Sequence, residues 1–122
     1  MWPPETGDDV LQMVLRLRAS ASGAAELGRA LRLVMLPARR DPACARAQLY
    51  AEIGEPGALC YVEEWLTSED LVREVRTDRF TRLLQLMETA VEPPVLEFRF
   101  VSEVRGLDFV AEARGDLHPS AA

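Results

Sequence analysis

The chain of 122 residues contains no lysine, and its fourteen positive charges are all arginine. That absence excludes Schiff-base catalysis by lysine and a lysine-bearing phosphate loop. Histidine is almost missing too, since His118 stands alone near the end. A histidine-rich metal site and a serine–histidine–aspartate triad therefore have nothing to be built from. No apolar run approaches the ~20 residues that cross a bilayer. The start, Met1-Trp2-Pro3-Pro4-Glu5, lacks the basic flank and apolar stretch of a secretory signal. Positive charge is outnumbered: twenty acidic residues leave a net charge of −6, which argues against a general nucleic-acid binder. The expectation is a cytoplasmic protein with no metal, no nucleic acid and no membrane among its partners.

What is present suits one ordinary globule. Hydrophobic residues make up 48% and charged residues 28%, and a chain of this length buries about two-thirds of its unfolded surface. Only two cysteines occur, Cys44 and Cys60. They fall in two strands of a hairpin closed by Gly54-Glu55-Pro56-Gly57. Pairing Ile53 with Ala58 sets Cys60 opposite Ala51 and carries Cys44 towards Thr67, too far out of register for a bridge. Both are read as reduced, buried and structural.

Residues 1–8 read as a loose lead-in, 9–104 as the folded domain, and 105–122 as a partly flexible extension. From Val10 to Arg18, Leu11, Met13, Leu15 and Leu17 take one face of a strand. Ser20 or Ser22 then caps a helix whose apolar stripe is Ala24, Leu27, Gly28, Leu31, Val34 and Met35, and Pro37 stops it. Cys44 to Ile53 alternates again, with Ala45, Ala47, Leu49, Ala51 and Ile53 on one face. In the partner strand, Ala58 to Trp65, the residues Leu59, Tyr61, Glu63 and Trp65 share a face. Thr67 with Asp70, or Ser68, starts a short helix to about Arg76. Thr77 or Asp78 caps another with Phe80, Leu83, Leu84, Met87 and Val91, ended by Pro93-Pro94. A strand from Val95 to Val104 places Leu96, Phe98, Phe100 and Val104 on its buried face. Leu107 to Ala113 fits either an added strand or a helical turn.

The order β-α-β-β-α(α)-β implies an α+β, ferredoxin-like antiparallel sheet with helices on one face. The other face would carry Gln12, Val14, Arg16, Arg46, Gln48, Tyr50, Glu97, Arg99 and Val101. That mixture is too polar for a core and too apolar for a plain solvated surface. A homodimer through this open sheet face would cover it with one self-complementary patch, Arg16, Arg46 and Arg99 meeting Glu52 and Glu97.

Several short pieces, in order, carry a resemblance over Val10 to Val101. They are Arg40-Asp41-Pro42-Ala43-Cys44 leading into Leu49-Tyr50, then Tyr61-Val62-Glu63-Glu64-Trp65, Ser68-Glu69-Asp70-Leu71, and Phe80 with Leu83. Together they resemble the antibiotic biosynthesis monooxygenase family, small proteins that form a dimeric α+β barrel. The resemblance implies a cofactor-independent monooxygenase that binds a phenolic, anthrone-like or quinol substrate, whose anion passes an electron to O₂. By the same likeness Trp65 faces the cavity and Tyr61 stands where a polar residue meets substrate. The chain departs from the pattern where family members carry histidines, which here are Glu74 and Arg79. Heme-degrading proteins of the same superfamily hold iron through a helix histidine that this chain lacks.

The candidate catalytic residues are therefore Trp65, Tyr61 and Glu63, with Arg79, Phe80, Leu83 and Met87 for substrate binding and no cofactor. Arg79 offers a permanent charge for an anionic oxygen, although Arg73, Arg76, Arg79 and Arg82 also fit a solvated helix face. Trp65 and Tyr61 fit plain core equally well. Glu63 and Glu64, adjacent on a strand, point to opposite faces and cannot share a substrate. Glu63 alone, buried beside Trp65, would serve as a base or simply pair with a neighbouring arginine. The alternatives are a non-catalytic dimeric module binding a small ligand or a partner, and an isomerase or dehydratase using a carboxylate base. A deep pocket reaching Trp65 favours catalysis, and a cavity filled by side chains favours the binding module.

Overall fold

The computed structural model describes residues 10–115; the lead-in at 1–8 and most of the tail, His118 included, lie outside them. Strand β1 (Val10–Arg18) is followed by helix α1 (Ala24–Arg40), strands β2 (Cys44–Ala51) and β3 (Ala58–Trp65), and helices α2 (Ser68–Val75) and α3 (Asp78–Met87). Strand β4 (Val95–Val101) and helix α4 (Leu107–Arg114) complete it. The strands form one four-stranded sheet in the order β2-β3-β1-β4, with every pairing antiparallel. This is the expected ferredoxin-like α+β arrangement. Among the described residues no helix is long and apolar enough to cross a membrane.

The register sorts side chains into rows across the sheet. Towards the helices lie Ala47, Glu63, Met13 and Phe98 in one row and Leu49, Tyr61, Leu15 and Leu96 in the next. Trp65, Leu11 and Phe100 form a third. On the open side Arg46, Glu64, Gln12 and Arg99 line up, followed by Gln48, Val62, Val14 and Glu97. The core gathers Leu11, Met13, Leu15 and Leu17 of β1 with Leu27, Leu31, Val34 and Met35 of α1 and Phe80 and Leu83 of α3.

Five local expectations are corrected. Helix α1 runs through Pro37 to Arg40. Proline removes the bond to the Leu33 carbonyl and its ring crowds that carbonyl, yet the helix continues for three more residues, with Pro37 and Leu33 both on its exposed side. The cap of α1 is Gly23, while the Ser20 hydroxyl accepts from its N–H at 3.0 Å. The hairpin pairs Tyr50, not Ala51, with Cys60, which keeps Leu49 and Tyr61 on one face as period two requires. Its turn uses left-handed Gly54 and Gly57, and a Cβ on Gly57 would lie 2.4 Å from the Ala19 carbonyl oxygen. At the other end of β2 a bulge between Cys44 and Arg46 turns Cys44 towards the core and leaves Ala45 exposed. Both cysteines are free and half-buried rather than fully buried.

The second half also differs in detail. Helix α3 ends at Met87, so Val91 falls beyond it and is exposed, as is half of Leu84. Strand β4 ends at Val101, and Val104 lies outside it. Phe98 is 38% exposed and Phe100 63%, although both face the helix side. The reason is position: β4 is an edge strand, and the helices pack on β2 and β3, none extensively on β4. Leu107 to Arg114 resolves as a helix.

Candidate functional site

The end of β3 carries Tyr61, Glu63 and Trp65 on the helix-facing side, as period two predicts. All three are buried; Glu63 is 0% exposed. The Trp65 indole N–H donates to Glu63 Oε1 at 3.0 Å, and the Tyr61 hydroxyl donates to Glu63 Oε2. Arg79 closes the cluster, its Nη1 donating to Glu63 Oε2 at 2.8 Å and its Nη2 to Oε1 at 3.2 Å. Each carboxylate oxygen thus accepts two hydrogen bonds, and a charge buried this deeply persists only with such partners.

The α2–α3 junction delivers Arg79 to this position. Thr77 caps α3 by accepting from the Phe80 N–H at 3.2 Å, and its hydroxyl donates to the Glu74 carbonyl at 2.7 Å. Arg79 follows in the first turn of α3 and reaches inward, so its side chain is only 12% exposed. Its Nε donates to Glu74 Oε2 at 2.5 Å and its Nη1 to the Val34 carbonyl of α1 at 3.0 Å. One guanidinium thereby ties β3, α1, α2 and α3 together. Glu74 and Arg79, the two positions read as replacing family histidines, are partners in one ion pair.

The electrostatics follow this packing. Burial, and then the Glu63 carboxylate beside it, push the Tyr61 phenol well above the usual tyrosine range. Burial opposes the charge of Arg79, but the hydrogen bonds and charge of Glu63 outweigh it and raise its pKa. Burial also pushes the Cys44 thiol up to about 11. Every buried side-chain polar atom among the described residues has a partner. Glu63 is therefore a saturated acceptor, with no lone pair left to take a proton from a substrate.

The remaining candidates divide by burial. Phe80 and Leu83 lie in the core, and Met87 packs half-buried against it. Arg79 is not on the solvated face that its three-residue spacing suggested. None of the described cavities is lined by Trp65, Tyr61 or Glu63. Among the described residues no group of three or more His, Cys, Asp or Glu is placed to hold a metal ion. Sequence reasoning missed the exposure of Phe98 and Phe100, because apolar strand residues read as buried whether or not a helix covers them.

Solved structures share this architecture. A structure described as an antibiotic biosynthesis monooxygenase superposes with a TM-score of 0.65 at 18% identity, over 79% of this chain and 99% of the other. The fold is that of the antibiotic biosynthesis monooxygenases. A conserved protein of Methanosarcina mazei reaches a TM-score of 0.69 at 17% identity, over 78% of this chain and 95% of its own. A Pseudomonas aeruginosa protein gives 0.67 at 19%, over 81% and 98%. No protein-family model matches the chain, and no curated protein matches it by sequence. Against these three structures, this chain keeps about a fifth of its length outside the shared part.

Proposed function

We propose that the chain is a non-catalytic homodimeric binding module, which holds a flat apolar molecule against the helix-facing side of β4. One observation carries this reading: the residues with chemistry are sealed, whereas the apolar row on β4 becomes steadily more exposed towards its end. Trp65, Tyr61 and Glu63 spend their polar atoms on one another and on Arg79. Leu96, Phe98 and Phe100 instead form an apolar row whose exposure grows towards Phe100. Aromatic side chains offer such a molecule a stacking surface.

The dimer belongs to the same proposal. On the open face Val14 is already buried and Gln12 donates to Glu64 at 2.8 Å. Arg16 and Arg99 both reach the one carboxylate of Glu97 within the chain, which leaves one positive charge over for a second copy to meet. What such a contact would add is cover for Val62, Val101 and Tyr50. Pairing through this face leaves the β4 row on the opposite side accessible.

A second reading is cofactor-independent monooxygenation of a phenolic, anthrone-like or quinol substrate with O₂. It is favoured by the structural neighbour described as an antibiotic biosynthesis monooxygenase. In that case the substrate anion itself reduces O₂, and the protein contributes an apolar surface rather than a base. An oxygen electrode with anthrone and 1,4-naphthohydroquinone separates the two. The binding-module reading expects saturable binding with uptake no faster than in buffer. Protein-dependent, saturable uptake would overturn it.

A further inference from the structure

A different surface carries a separate inference, independent of the reading of β4. Between α1 and the edge strand β2 runs an open groove of about 520 Å³, within the range of small-molecule sites, lined by Ala25, Gly28, Arg29, Arg32, Leu33 and Leu49. Its composition is asymmetric: four apolar residues and two guanidinium groups.

Two observations bear on what it would hold. The first is charge. Arg16, Arg18, Arg73, Arg79, Arg99 and Arg105 each hold a carboxylate. Arg29 and Arg32 make no ion pair with any described residue; Arg39, Arg40, Arg76 and Arg82 make none either, but Arg29 and Arg32 are the two that line this groove. They stand one helical turn apart, so one anion can meet both. The second is Gly28 in the middle of α1. Glycine is the poorest helix former after proline, yet a Cβ here would meet nothing within 4 Å. The chain's own packing gives no reason for glycine, and the space above it is the floor of the groove. Leu33, 68% exposed, forms the apolar wall.

We propose that this groove binds a small amphiphilic anion, its acidic group on Arg29 and Arg32 and its apolar body over Gly28 against Leu33 and Leu49. Charge complementarity selects an anion, and the size and apolar floor select a compact aromatic or acyl body. The test is a fluorescence titration of the full chain with 8-anilinonaphthalene-1-sulfonate and with its uncharged parent, N-phenyl-1-naphthylamine. The sulfonate should bind at least ten-fold more tightly. Arg29→Gln combined with Arg32→Gln should bring that ratio close to one, while Gly28→Leu, which fills the floor, should weaken the sulfonate ten-fold or more. Should Gly28→Leu fail to fold, Leu33→Ser reads the same surface and should weaken the sulfonate. Equal affinity of the two probes, a ratio unchanged by the double arginine variant, or no binding would overturn the proposal. So would loss of sulfonate binding in Phe98→Ser combined with Phe100→Ser, since the probe would then sit on β4.

Discussion

The inner and outer strands of one sheet face meet different fates. On β3, Tyr61, Glu63 and Trp65 lie under α1, α2 and α3, and every donor and acceptor they carry is paired inside the protein. On β4, two strands away, Phe98 and Phe100 face the same side with no helix packed extensively on their strand. The residues with the richest chemistry are therefore the least able to meet a ligand. The roof, rather than the residue type, decides which strand is available.

This contrast breaks most sharply at Arg79. Arg79→Met should destabilise the fold by about 3–5 kcal/mol, because it strands the buried Glu63 carboxylate; urea unfolding measures it. Phe98→Ser combined with Phe100→Ser should cost less, about 1–2 kcal/mol, since Phe98 is only partly buried and Phe100 mostly exposed. Equal losses in the two variants would erase the distinction between the sealed and the bare strand. Trp65→Phe falls between them, at roughly 1–3 kcal/mol, for one lost donor to Glu63 and a smaller ring.

Alkaline titration sharpens the same comparison. Tyrosine in the unfolded chain ionises near pH 10, while Tyr61 in the fold holds its proton well beyond that. Above about pH 10 the folded state binds more protons than the unfolded state, so stability falls as pH rises. Tyr61→Phe should flatten that fall, and an unchanged slope would mean that Tyr61 is not held as described. The smallest expected effect concerns the thiols. With its thiol pushed up to about 11, Cys44 should be alkylated by iodoacetamide more slowly at pH 8 than a free thiol in the unfolded chain; mass spectrometry of the tryptic peptides reads it.

Much of this was legible in the residues. Period two in β1 and β3 put Leu11 to Leu17 and Tyr61, Glu63 and Trp65 on the correct face, and Thr67 and Thr77 marked both helix starts. The destination of Arg79 was hidden because Arg73, Arg76, Arg79 and Arg82 look like one continuous helix face. The Thr77 cap was the available signal: it splits the segment into α2 and α3 and takes Arg79 out of phase with Arg73. The bulge beside Cys44 left no trace in the alternation. The bareness of Phe98 was hidden for another reason, since helix cover is a property of chain topology and not of the strand's own sequence.

The central claim is that ligand contact belongs to β4 and not to the Trp65 cluster. The direct measurement is the affinity for 1,4-naphthohydroquinone, under nitrogen, of the wild type, of Trp65→Phe, and of Phe98→Ser with Phe100→Ser. The account predicts that Trp65→Phe binds within about three-fold of wild type, while the double β4 variant loses ten-fold or more. Loss of binding in Trp65→Phe with full affinity in the β4 variant would contradict it.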